Sequence, residues 1–253
     1  MKQNARQSPP VTPEGPDTGG MSRAERRAAG ALASIFSLRM LGLFMILPVF
    51  TLHATRYSGY SATGAGLAIG IYGLTQALLQ IPFGMLSDRI GRKPVIYVGL
   101  VIFALGSVVA ALAHSMLWVI AGRALQGAGA VGSAVLALTA DLTREEQRTK
   151  AMAMIGGSIG IAFGVGIVAG PVITSWVGLP GLFWVTAVLG LAGAAVLRFR
   201  VPNPVSSRFH RDAEAVPAQL GRVLRDTQLL RLDAGILCLH LILMASFVVM
   251  PLV

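Results

Sequence analysis

The sequence predicts an all-α membrane protein: a six-helix transmembrane bundle followed by a seventh transmembrane helix. Three observations carry this. First, 54% of the 253 residues are hydrophobic and only 13% are charged, about half the charge of a water-soluble domain. Too little polar surface remains to wet a body of this size. Second, Tyr57 to Ser87, Pro94 to Gly122 and Ala151 to Leu197 contain no charged side chain, and a spanning helix needs about 20 apolar residues. Third, the basic residues fall in alternate loops.

Taken in order, the spans are expected at 31–51, 64–86, 95–113, 117–140, 151–175, 181–199 and 234–253. The longest uncharged run holds two of them, because Gly178-Leu-Pro-Gly181 breaks helix. Residues 1–27 are expected to be a disordered cytosolic tail, rich in Pro, Gly, Ser and Thr up to residue 22. The first span lacks a small-residue cleavage site and is long enough to stay as an anchor. Residues 28–199 form the expected bundle. Residues 200–233 form a cytoplasmic linker, in which Leu220, Val223, Leu224 and Leu230 recur at roughly helical spacing beside Arg222 and Arg225. Two readings of that segment stand, an amphipathic helix on the membrane surface and a solvated helix. Residues 234–253 are expected to be the first helix of an incomplete second bundle.

The net charge of +10 does not call for nucleic acid, because its position explains it. Lys2, Arg6, Arg23, Arg26 and Arg27 precede the first span. Arg89, Arg92 and Lys93 follow the second, and Arg144, Arg148 and Lys150 follow the fourth. The linker carries the rest, apart from Arg56 on the opposite side and Arg39 and Arg123 inside spans. Basic residues gather in cytoplasmic loops. The expected location is therefore the inner (plasma) membrane, with the amino terminus cytoplasmic. Cys238 stands alone in an apolar run, so it is expected to be a small buried side chain.

Between spans 2 and 3 stands Gly84-Met-Leu-Ser-Asp88-Arg89-Ile-Gly91-Arg92-Lys93-Pro94. Gly84 permits close helix contact and Gly91 a tight turn. Asp88 ends span 2 beside cations that offset its desolvation. This string resembles the signature loop of the major facilitator superfamily. The resemblance implies that Asp88 and Arg92 join Asp141 in a charge cluster, which latches one state and breaks when two helix bundles rock. In span 4, Arg123-Ala-Leu-Gln126-Gly127 is similar to the family's second motif. An arginine inside a span costs about 3 kcal/mol even on lenient scales, so Arg123 either faces a cavity or partner, or snorkels outward.

Span 5 carries Gly157, then Gly166, then Gly170-Pro171, similar to the family's antiporter motif, with Thr174 and Ser175 in place of its closing glycine pair. From the residues alone, Gly156, Gly160 and Gly164 form a stripe for close helix packing and Pro171 kinks the outer end. Span 1 holds Leu41-Gly42 and then Pro48-Val49, similar to a motif of twelve-helix drug–proton antiporters, with Thr51 where a proline is usual.

The implied function is secondary active transport, proton-coupled export of small molecules by alternating access. The expected partners are a small-molecule substrate, protons, the lipid bilayer and a missing second helix bundle. No cofactor and no metal is called for. No Asp or Glu lies well inside a span, so the intramembrane ionisable groups are Arg39, Arg123 and His240. His240 is the titrating candidate in this chain; a helix-packing histidine and a carboxylate in the missing half are the alternatives. Arg39 and Arg123 then position anionic groups or set the cavity potential, with Gln76, Gln80 and Gln126 as further polar groups.

The chain stops at about the end of span 7, five spans short of a full transporter of this kind. These residues alone are not expected to transport, and a transport-incompetent truncated transporter is the standing alternative. An intramembrane serine protease built on Gly156-Gly-Ser158-Ile-Gly160 with His240 is the remote one. That string sits in a spanning helix, not on a strained strand-to-helix turn. Gly127-Ala-Gly129-Ala-Val-Gly132 fits a dinucleotide fingerprint by letters only, since it follows Arg123 within span 4 and no strand precedes it.

Overall fold

The structure is a computed structural model that describes residues 19–202 and 225–249. It is an all-α membrane bundle. Helix α1 spans Arg23–His53, α2 Ala62–Ile90, α3 Arg92–Ala111, α4 Met116–Ala128, α5 Gly132–Asp141, α6 Glu145–Arg200 and α7 Thr227–Val249. Among the described residues, six stretches are long and apolar enough to cross a bilayer when α4 and α5 are taken together.

Helix α1 starts earlier than expected, which corrects residues 23–27 of the disordered tail. The Ser22 hydroxyl accepts from the Glu25 N–H at 3.1 Å while the Glu25 carboxylate accepts from the Ser22 N–H at 2.8 Å. This reciprocal cap satisfies two orphan donors and starts the helix in polar sequence. Tail residues 1–18 lie outside the described residues, as do Leu220, Val223 and Leu224 of the linker. Helix α7 begins at Thr227, so the last residues assigned to the linker are helical, Leu230 among them.

Helix α6 would run about 84 Å if straight, far beyond one bilayer. It is two spans joined at Gly178, whose φ of +68° only glycine adopts without strain. The limbs on either side double back onto α1. A Cβ at Gly166 would lie 2.8 Å from Phe44 Cβ and one at Gly42 2.7 Å from Thr186, so both limbs touch the same turn of α1. The hairpin therefore falls within the expected turn at 176–181.

Span 4 is not one helix, as expected, but two. Helix α4 ends at Ala128 and α5 begins at Gly132, with Gly129, at ψ of +48°, off helical geometry. The break interlocks with α3: the Val131 side chain and the Gly129 backbone occupy the space a Cβ at Gly99 would need. Further along the same interface, a Cβ at Gly122 would lie 2.7 Å from the Ala110 nitrogen. The glycine-rich string that mimics a nucleotide motif is thus a helix-packing face.

Two apolar cores result. One gathers Met45, Phe50, Tyr57, Met116, Val119, Leu182 and Phe183 near the 57–61 turn. The other gathers Leu32, Ile35, Ile96, Leu100, Val135, Leu138 and Leu197 toward the signature loop. Between them lies a buried polar layer. Leu78, Ile81, Leu105, Trp118 and Ile161 are exposed on the outside, where hydrocarbon is their natural solvent.

Candidate functional site

The signature loop folds into a compact charge cluster. Gly91, with φ of +98°, ends α2 and starts α3 in one residue, which brings Arg92 back over the last turn of α2. Arg92 pairs with Asp88, its Nε donates to Asp141 Oδ2 at 3.4 Å, and its Nη1 donates to the Ser87 hydroxyl at 2.8 Å. Ser87 in turn donates to the Gly84 carbonyl at 2.7 Å. The Asp141 side chain is only 2% exposed, so its charge is stabilised by Arg92 and not by water. Arg89 is exposed on the neighbouring face and is not among the partners of this cluster. Gly84 lets α2 approach α5, where an added Cβ would lie 3.2 Å from the Ser133 hydroxyl. The Ser133 hydroxyl itself donates to the Gln80 carbonyl at 3.0 Å.

Beside this end, Glu25 binds Arg144. Its Oε1 accepts from Arg144 Nε at 3.1 Å and from the Arg144 backbone N–H at 2.9 Å. Burial pushes the Glu25 carboxyl up, but the hydrogen bonds from Arg144 and Ser22 outweigh it and hold the group down to about 2. This pair ties the start of α1 to the loop before α6. Sequence reasoning missed it because 119 residues separate the partners.

The mid-bundle polar layer is built on two arginines, each 1% exposed. Arg39 Nη2 donates to Gln76 Oε1 at 2.9 Å. Arg123 Nε donates to the Ala68 carbonyl at 3.1 Å and its Nη1 to Gln126 Oε1 at 2.8 Å. Gln126 Nε2 donates to Ser107 Oγ at 2.7 Å. Both guanidinium groups face the ring of Tyr72, with Cζ to centroid distances of 5.8 Å for Arg39 and 4.7 Å for Arg123. Arg123 therefore does not snorkel. Tyr72, Gln76, Gln80 and Asp88 follow one another at multiples of four along α2, a row winding from this layer to the charge cluster.

The family model of the Major Facilitator Superfamily matches residues 32–253. The chain belongs to that superfamily. It is similar to the inner membrane transport protein YajR of Escherichia coli strain K12, 53% identical over 231 residues, which cover 91% of this chain and 51% of that protein. It is also similar to the class B tetracycline resistance protein of Escherichia coli, 29% identical over 183 residues, covering 70% of this chain and 45% of that protein. Its fold matches a bacterial homologue of the human lysosomal transporter Spinster with a TM-score of 0.64 at 19% identity, over 81% of this chain and 50% of that one. The chain thus spans about half the length of these proteins. A transporter family, not an enzyme family, is what the residues belong to.

Within this superfamily chain, the antiporter-type motif divides. Gly166 and Gly170 press on α1: a Cβ at Gly170 would fall on the Met45 carbonyl. A Cβ at Gly157 meets nothing within 4 Å, and neither does one at Gly156, Gly160 or Gly164. The packing stripe expected there is corrected, because that face of α6 turns away from α1 and no described helix covers it. Pro171 lies inside the same helix. His240 sits on α7, exposed, with Nδ1 3.0 Å from the Ile236 carbonyl. Cys238 is exposed too, contrary to expectation. Helix α7 reaches the bundle through Met244 and Phe247, the latter edge-on to Phe163 with ring centroids 6.2 Å apart. Ser158 donates to the Ile155 carbonyl at 2.7 Å within its helix, the geometry of a packed helical serine, not of a nucleophile on a turn.

Proposed function

We propose that the chain forms the first half of a proton-coupled exporter of small molecules that works by alternating access. The observation that carries this reading is the Asp88–Arg92–Asp141 cluster, in which one guanidinium clamps carboxylates from two helices at one end of the bundle. Such a clamp is a two-state element: it favours the arrangement that keeps α2 and α5 together, and a shift of helices within the bundle that parts them removes a counter-charge from a buried Asp141. The loop lies at the cytoplasmic face in this reading, because Arg and Lys gather there. The chain's likeness to YajR, an inner membrane transport protein, and to the class B tetracycline resistance protein supports this reading.

Proton entry supplies the driving force, with the voltage part worth about 2.3 kcal/mol per charge per 100 mV. His240 is the proton carrier in this half. A carbonyl oxygen only accepts, so the Ile236 contact places the hydrogen on Nδ1 and leaves the Nε2 lone pair to take a proton. The exposed flank of α7 supports a second bundle that covers it, and residues 1–253 alone are then transport-incompetent.

The test is accumulation of fluorescent dyes, anionic and cationic, in cells stripped of their own drug exporters. The protein carrying this chain together with a second bundle is expected to lower accumulation. The effect should collapse with a protonophore and vanish with Asp88→Asn. Unchanged accumulation across a broad compound panel would end the drug-export reading.

A further inference from the structure

The two arginines of the polar layer differ from the ion-paired arginines Arg92 and Arg144. Arg92 faces Asp88 and Asp141, and Arg144 faces Glu25, whereas the partners of Arg39 and Arg123 are neutral: two glutamine side chains, a backbone carbonyl and aromatic rings. The Tyr72 ring and, for Arg39, the Phe103 ring at 5.5 Å offset part of the cost through cation–π attraction. They do not neutralise the charge.

Donors also stand unused. Arg39 Nε and Nη1, Arg123 Nη2 and the Tyr72 hydroxyl are buried without a hydrogen-bond partner among the described residues. Unpaired donors of this kind are costly in a low-dielectric interior, and native folds leave few of them. Here four come from three side chains that meet around one ring. Two positive charges with spare N–H and O–H donors suit an oxyanion, which accepts from several donors at once. A cation would be repelled, and a neutral solute would leave both charges uncompensated.

We propose that Arg39, Arg123 and Tyr72 form a binding site for the carboxylate or equivalent oxyanion of a small anionic solute. The proposal rests on the transporter reading and names the substrate class it handles. Gln76 and Gln126 are the neutral acceptors on the guanidinium groups, and Gln76 is the half-buried member through which the site reaches the surface. Along that face of α2, Gly73 is exposed and meets nothing within 4 Å, and Ala77 is exposed and small. A solute arriving there displaces the Gln76 amide from Arg39 and brings a full negative charge in its place.

The experiment uses the purified 253-residue chain in detergent micelles at pH 7 and fixed ionic strength. Thermal melting is followed while sodium benzoate, or its uncharged isostere benzamide, replaces an inert component. Benzoate is expected to raise the melting temperature saturably and benzamide not to. Tyr72→Phe keeps the ring and removes one donor, so it should raise the half-saturating benzoate concentration about tenfold. Arg39→Met should abolish the response and, with no anion present, melt no lower than wild type, because an uncompensated buried charge has been removed. Equal shifts by benzoate and benzamide, or a half-saturation unchanged by Tyr72→Phe, overturn the proposal. So does an Arg39→Met protein that melts far below wild type without ligand, since the bundle itself would then be answering the charge. This readout needs no transport, so a benzoate response here, together with no export by the protein that also carries the second bundle, defeats the exporter reading and leaves the site standing.

Discussion

Asp141 and Glu25 are carboxylates held out of water by cations from other elements, and they respond to loss of charge in different ways. Asp141 shares Arg92 with Asp88. Asp141→Ala should cost about 2 kcal/mol in a denaturation series, below the roughly 3–5 kcal/mol of a fully broken buried pair, because Asp88 still holds Arg92. Glu25 is governed by pH. Its folded value of about 2 lies below the ordinary 4.5, so its contribution is complete above about pH 4.5 and disappears as pH falls toward 2. Melting curves should therefore show Glu25→Gln less stable than wild type at pH 7, with the gap closing between pH 4.5 and 2. A gap that persists at the acid end counts against the Arg144 pairing.

At the scale of elements, close approach decides which glycines matter. Gly106 and Gly122 stand where α3 and α4 nearly touch, and a Cβ on either would meet backbone. Gly106→Ala and Gly122→Ala should each destabilise the bundle by about 1–3 kcal/mol through overpacking. Gly156→Ala and Gly160→Ala add a methyl to open space on α6 and should be neutral, or stabilising by up to about 1 kcal/mol through helix propensity. Melting temperatures of the four variants in one detergent separate the two faces. Spacing alone marks Gly156 and Gly160 as packing candidates; only the facing helix shows that Gly106 and Gly122 are the glycines that pack. Gly178 is a different case, set by its own backbone. Gly178→Ala should cost about 1–2 kcal/mol, since an L side chain is strained at its φ of +68°.

For the molecule as a whole, the proposed orientation, with the amino terminus cytoplasmic, rests on the placement of charge. Alkaline phosphatase fused after Ser58 should be active outside the cell membrane, whereas fusions after Lys93 and after Lys150 should be inactive. The reverse pattern would place the charge cluster on the outer side and remove the argument that the signature loop lies at the cytoplasmic face.

The number of spans, the hairpin near Gly178 and the signature loop were legible in the sequence. Each depends on local physics: bilayer thickness sets the length of an apolar run, a left-handed residue turns the chain, and Asp88 and Arg92 lie one helical turn apart. Asp141 was placed in the cluster by likeness to a family, not by spacing. Four things were decided only by tertiary structure: the break that splits span 4 into α4 and α5, the Glu25–Arg144 pair, the bare face of α6, and the meeting of Arg39 and Arg123 around Tyr72. Their partners lie tens to over a hundred residues apart in the chain. Hydropathy reports that a side chain is inside the bilayer. Which helix face it meets there is set by packing, and for a buried charge that neighbour decides everything.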